Sequence, residues 1–163
     1  MLPGVVGEEL TLAHTGAAAV TITGLGGYPT GFDFSLRVML RREKPFGRRI
    51  DTFVELHRPR GGREFLRLDV QFADGTVATN LDRPPLGEPH AEPAGPQLVE
   101  NGATVDKRRF DLSYWVWRLP PPGPVTFVCQ WPLCGIADAR AQLDGQRIRD
   151  AAARSVPLWP DDS

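Results

Sequence analysis

Along this chain apolar and polar residues trade places at every second position far more often than at helical spacing. From Phe32 to Leu40, Phe32, Phe34, Leu36, Val38 and Leu40 alternate with Asp33, Ser35, Arg37 and Met39. One face is apolar and the other mostly polar, so the pattern predicts a strand with one side on a core. Leu66, Leu68, Val70 and Phe72 repeat it, with Arg67, Asp69 and Gln71 on the opposite face. That run enters Ala73-Asp74-Gly75-Thr76 and continues as Val77-Ala78-Thr79, where Asp-Gly predicts a tight hairpin. Phe110 to Leu119 and Pro124 to Trp131 flank Pro120-Pro121-Pro122-Gly123 and are expected to form a further hairpin with a stiff connection. Weaker strands are predicted at Glu8–Thr15, Ala18–Gly24 and Ala139–Leu143, with a short closing strand near Val156–Trp159, confined to an edge by Pro157.

Helix is scarce. Gln146 to Arg154 follows Asp144-Gly145 and ends on three alanines, with Ile148, Ala151, Ala152 and Ser155 on one face. Ile50 to His57 is expected to make a turn or two. Two segments lack periodicity: an Arg-rich insertion at 43–63, and 81–106, rich in Pro and Gly and expected to be a long loop. The reading is a single mainly-β domain spanning 1–163, an antiparallel β-sandwich immunoglobulin-like in outline with one short C-terminal helix; a flattened barrel is the alternative.

Composition fits this picture: 17 Gly and 16 Pro in 163 residues punctuate the chain with turns. Only Lys44 and Lys107 among the basic residues are not Arg, a bias of GC-rich coding. The block Tyr114-Trp115-Val116-Trp117-Arg118-Leu119-Pro120-Pro121-Pro122-Gly123, followed by Phe127-Val128-Cys129-Gln130-Trp131-Pro132, resembles a group of small uncharacterised β-rich proteins of GC-rich actinobacteria. Gln71-Phe72-Ala73-Asp74-Gly75 and the ending with Asp150-Ala151-Ala152-Ala153-Arg154 and Leu158-Trp159-Pro160 are similar too. The resemblance implies a shared fold and compartment; it brings no catalytic residues and no function.

The formal net charge of −1 supplies no overall field toward nucleic acid or an anionic membrane. Met1-Leu2-Pro3-Gly4 lacks the basic start and apolar stretch of a secretion signal, and the uncharged windows 15–32 and 119–137 are broken by Gly and Pro, so a cytoplasmic protein without membrane spans is expected. Cys129 and Cys134, the two cysteines, form no disulfide framework; Cys129 shares a strand face with Phe127 and Trp131, the setting of a small buried hydrophobe.

Candidate chemistry is thin. Gly24-Leu25-Gly26-Gly27 is followed by Tyr28-Pro29 instead of the Lys-Ser/Thr of a phosphate loop, and reads as a turn between two strands. His14, His57, His90 and the two cysteines show no metal-ligand spacing, so neither metal nor cofactor is expected, and no nucleophile or carboxylate pair is singled out. Between Arg41 and Arg63 eight basic residues, Arg48 and Arg49 among them, stand against Glu43, Asp51 and Glu55, a basic patch with few aromatics for base stacking. Trp115 and Trp117 share one strand face and Tyr114 and Val116 the other. Either the strand is buried on both sides, or one aromatic pair is a recognition platform. The binding residues put forward are Trp115, Trp117, Arg48 and Arg49. The expected function is a non-enzymatic cytoplasmic module that binds a protein partner. The alternatives are a small-ligand or carbohydrate-binding domain using the aromatic face, and a loop-assembled hydrolase.

Overall fold

Ten strands and one helix account for the regular structure in a computed structural model that describes residues 1–42, 66–81 and 94–160. In chain order the strands are β1 (Gly4–Val5), β2 (Leu10–His14), β3 (Ala18–Tyr28), β4 (Gly31–Leu40), β5 (Arg67–Gln71), β6 (Val77–Thr79), β7 (Gln97–Val105), β8 (Arg109–Trp117), β9 (Pro124–Trp131) and β10 (Ile136–Asp144). A 3-10 turn, Pro132–Cys134, joins the last two, and helix α1 (Gly145–Ala153) follows.

Both sheets are antiparallel. The larger has six strands in the order β1-β3-β4-β8-β7, with β2 sharing the flank of β3 with β1; the smaller runs β10-β9-β5-β6. Successive hairpins alternate between the sheets: β3–β4 in the first, β5–β6 in the second, β7–β8 back in the first, β9–β10 in the second. Each hairpin is then locked by the next but one, β4 against β8 and β5 against β9. The two apolar faces meet in one core, in which Phe34 stacks on Tyr114 and meets Phe127 edge-on across the sandwich. The fold is the antiparallel sandwich, immunoglobulin-like in outline, that the alternation predicts.

The β5–β6 turn forms as expected, with the Asp74 carboxylate accepting from the Thr76 N–H at 3.0 Å and its hydroxyl at 2.6 Å. Helix α1 starts where the sequence places it, because the Asp144 carboxylate accepts the Gln146 N–H at 2.9 Å as an N-cap. The helix buries Ile148, Ala151 and Ala152, and does so by backbone approach. A Cβ on Gly27 would lie 2.5 Å from Ala152 N, and one on Gly4 would lie 1.7 Å from Ala151 O. Only hydrogen at both positions lets the helix rest on the sheet.

Four expectations are corrected. Strands β8 and β9 do not pair with each other; they lie in different sheets, and Pro120-Pro121-Pro122-Gly123 is a crossover between layers. The Gly24–Gly27 run is no turn but lies inside β3, at a register shift between Thr23 and Gly26 where Gly24 takes a φ of 62°. Residues 97–105, expected within the loop 81–106, form strand β7 on β8. Near the C-terminus only an isolated bridge, Leu2 to Val156, replaces the predicted closing strand. The expected turn at Ile50–His57 lies outside the described residues, as do 43–65 and 82–93.

Candidate functional site

Strand β8 divides its residues by parity. Tyr114 and Val116 point into the core and are fully buried, whereas Trp115 and Trp117 lie half-buried on the face turned away from the second sheet. The pairing register sets what surrounds them. Asp33, Trp115 and Val99 form one cross-strand row on that face; Gly31, Trp117 and Gln97 form the next. The rings of Tyr28 and Trp115 meet in a T-shaped contact, 5.3 Å between centroids and 70° between planes. Its hydroxyl donates to Asp33 Oδ2 at 2.9 Å. Burial raises the Asp33 carboxyl above its usual value, against the lowering effect of the Tyr28 hydroxyl and the backbone N–H groups of Asp33 and Gly26. The Tyr28 phenol is raised by its own burial, by its bond to Asp33 and by that residue's negative charge.

Farther along the same face the character turns basic. Asp111 is clasped by Arg37 at 2.8 Å and Arg109 at 2.9 Å. Its burial raises the carboxyl, but the two guanidiniums outweigh that and hold it below the usual range. At the end of the sheet, Arg41, Arg42, Lys107 and Arg108 are exposed, and among the described residues none of the four has a carboxylate partner. Arg108 ties this corner together: its carbonyl accepts from Leu40 N at 2.7 Å and its guanidinium donates to the Arg41 carbonyl at 3.3 Å. A depression of about 370 Å³ beside it is lined by His14, Thr15, Met39, Leu40 and Arg41.

The other end of β8 holds a clamp between the layers. Arg118, at φ 62°, donates to Asp74 at 2.9 Å and Thr76 at 3.1 Å in the β5–β6 hairpin, with its guanidinium 5.9 Å from the Phe72 ring centroid. The cysteines stay out of any such chemistry. Both are unpaired and buried in the core, and burial pushes each thiol up to about 12, Cys134 adding to the effect at Cys129. Among the described residues no group of three His, Cys, Asp or Glu is arranged to hold a metal ion, and no helix is long and apolar enough to cross a membrane.

Of the residues put forward from the sequence, Trp115 and Trp117 come together on one face beside the sheet edge, while Arg48 and Arg49 lie outside the described residues. Tyr28 and Asp33 were missed. The polar half of the β4 alternation was their signal, since Asp33 falls on the polar side that register brings beside Trp115. Comparison with family models, curated proteins and solved structures finds no match to this chain.

Proposed function

We propose that this chain is a non-enzymatic protein-interaction module that docks its partner on the outer face of the six-stranded sheet, around Trp115 and Trp117. One observation carries the reading: two tryptophans are held part-exposed, one strand in from a sheet edge, on a strand whose other face already fills the core. Tryptophan is among the side chains that dominate binding energy when a partner covers them. We place the module in the cytoplasm, where two unpaired thiols are stable. A second reading, a small carbohydrate ligand, is favoured by the Tyr28–Asp33 pair beside Trp115, since an aromatic ring beside hydroxyl and carboxylate groups suits a sugar ring.

The test is crosslinking and affinity capture of the tagged protein from its host, with wild type beside a Trp115→Ala/Trp117→Ala variant. Near-stoichiometric recovery of one partner by wild type, lost in a variant that melts as a folded protein, is the expected result. A partner retained by the variant would move the docking surface elsewhere. No partner at all, with a sugar raising the melting temperature of wild type alone, would turn the assignment to the second reading.

A further inference from the structure

The edges of the two sheets are not equally protected. β1 has two residues, and the Val5 carbonyl on its flank accepts from Arg154 at 3.0 Å. β2 lies against β10, and β10 carries the Asp138–Arg140 ion pair and a register shift near its start. β6 has three residues. β7 is different: nine residues long, it pairs with β8 on one side and with no other described strand. Short strands, charges and bulges are how sheets blunt their edges. Past its register shift at Glu100 to Gly102, β7 has none of these in Gly102-Ala103-Thr104-Val105, a run without charge or proline whose every residue is exposed.

Register shows which backbone groups are open. Asp106 N donates to Arg109 O at 2.8 Å and so faces β8. Antiparallel pairing alternates, so Thr104 also faces β8, and the N–H and C=O groups of Ala103 and Val105 point away from the sheet. Past them come the exposed Asp106, whose carboxylate accepts from the Lys107 N–H at 2.7 Å, and then the cations of the turn, Lys107 and Arg108, with Arg41 and Arg42 nearby, four positive charges against that one negative.

We propose that β7 accepts an extended segment of a protein partner as an added strand, and that this segment is acidic at the end passing Lys107 and Arg108. The inference rests on the protein-docking reading above and gives it a mode. Main-chain bonds to Ala103 and Val105 supply the pairing, and the cations, which have no carboxylate partner among the described residues, choose the sign of the charge. The added strand continues the rows of Ala103–Leu112 and Val105–Phe110, and the rows of Trp115–Val99 and Trp117–Gln97 lie farther along the same sheet across the register shift, so a partner held at the edge is brought to the sheet that carries the tryptophans.

The experiment is selection of a random dodecapeptide display library on the intact protein, with selected peptides then titrated by fluorescence anisotropy. Three variants are compared with wild type: Ala103→Pro, Lys107→Glu/Arg108→Glu and Trp115→Ala/Trp117→Ala. Proline at 103 takes away only an outward N–H, so the variant keeps its bonds to β8. The expected result is a set of Asp/Glu-bearing, alternating peptides whose binding falls at least about tenfold in Ala103→Pro and in the charge reversal. Bound peptide should also slow hydrogen exchange at the amides of Ala103 and Val105. Failure of any peptide to enrich overturns the strand-addition proposal, while the crosslinking experiment still judges the module. Peptides that ignore the edge and charge variants but need the tryptophans overturn it and leave the module standing. A concentration-dependent dimer in sedimentation, abolished by Ala103→Pro, overturns it in favour of a second copy of this chain.

Discussion

Arg118 is the described non-glycine residue at positive φ, and it is also the tie between the sheets, so two substitutions there separate a side-chain effect from a backbone one. Alanine removes the ion pair to Asp74, which is partly exposed at both ends, screened by solvent and therefore a small contribution. It also removes the guanidinium from the face of Phe72, worth ~0.5–1 kcal/mol. Against this, it deletes the Arg118 Nε–H, which is buried without a hydrogen-bond partner. The losses and this relief are of similar size, so Arg118→Ala is expected to stay within about 1 kcal/mol of wild type, and one kcal/mol moves the melting temperature of a chain this size by roughly 2–4 °C. Glycine loses the same side-chain contacts but removes the left-handed cost of ~1–2 kcal/mol that alanine retains at φ 62°. Its more flexible unfolded chain takes back ~0.4–1 kcal/mol. Arg118→Gly is therefore expected to be equal to Arg118→Ala or more stable by up to about 1.6 kcal/mol, reversing the order that holds at ordinary strand positions. Urea unfolding at pH 7, followed by tryptophan fluorescence, reads this difference directly if the slopes of the two variants match. Alanine exceeding glycine by 0.5 kcal/mol or more, about the ordinary preference, would refute the claim that the crossover backbone is strained.

Two further outcomes follow from the same geometry. Gly27→Val should destabilise by about 2–3 kcal/mol, because its Cβ meets Ala152 N and Ile148 O at 2.5 and 2.7 Å and backbone cannot move aside without lifting α1; unchanged thermal unfolding would mean the helix does not rest there. Asp111→Asn and Asp33→Asn should respond to pH with opposite sign. Asp111 has its folded value held down, so its contribution is present above the unfolded value of 3.8 and fades as pH falls through the lower folded value. Asp33 has its folded value raised, so its contribution is full below 3.8 and fades as pH rises through the folded value. Denaturant unfolding of both variants against wild type from pH 3 to pH 8 checks this, and parallel profiles would contradict it.

What was readable in the sequence was whatever depends on neighbours along the chain. The β4 alternation, the Asp74-Gly75 hairpin and the Asp144 cap are set within a few residues, and all three form where local chemistry puts them. Strand partnership is different. Three prolines and a glycine suit a hairpin and a crossover equally well by local rules. The decision is made at a distance, because β4 and β5 offer β8 and β9 separate flanks in separate sheets. Stiff extended proline rises ~3.1 Å per residue, so a few residues span the ~10 Å between stacked sheets. β7 was hidden for a related reason. Gln97 to Val105 contains Asn101, Gly102 and Ala103, poor strand formers, and is a strand because β8 pairs with it. The candidate site was half legible: parity put Trp115 and Trp117 on a common face, but Tyr28 and Asp33 reach them only through the β3–β4 hairpin and the register of β4 on β8.

The alternating hairpins also determine where an interaction surface fits. Each sheet gives one face to the core, so neither inner face is available, and of the four hairpins β3–β4 alone is flanked on both sides by described strands. What remains is the outer face of each sheet and the edges. On the six-stranded sheet, β8 brings those two together: it is the last strand with a neighbour on each flank, and β7 beyond it ends the ladder. A tryptophan on β8 is therefore supported from both sides by cross-strand neighbours, Asp33 and Val99 for Trp115, Gly31 and Gln97 for Trp117, yet stands one strand from open backbone. Support on both flanks limits the freedom a side chain would lose on binding, which lowers the entropic cost of covering it. The same strand carries Tyr114 and Val116 in the core one residue away. The fold thus anchors the proposed docking face through the core residues next to its tryptophans, and a partner that covered that face would not have to disturb the core that positions it.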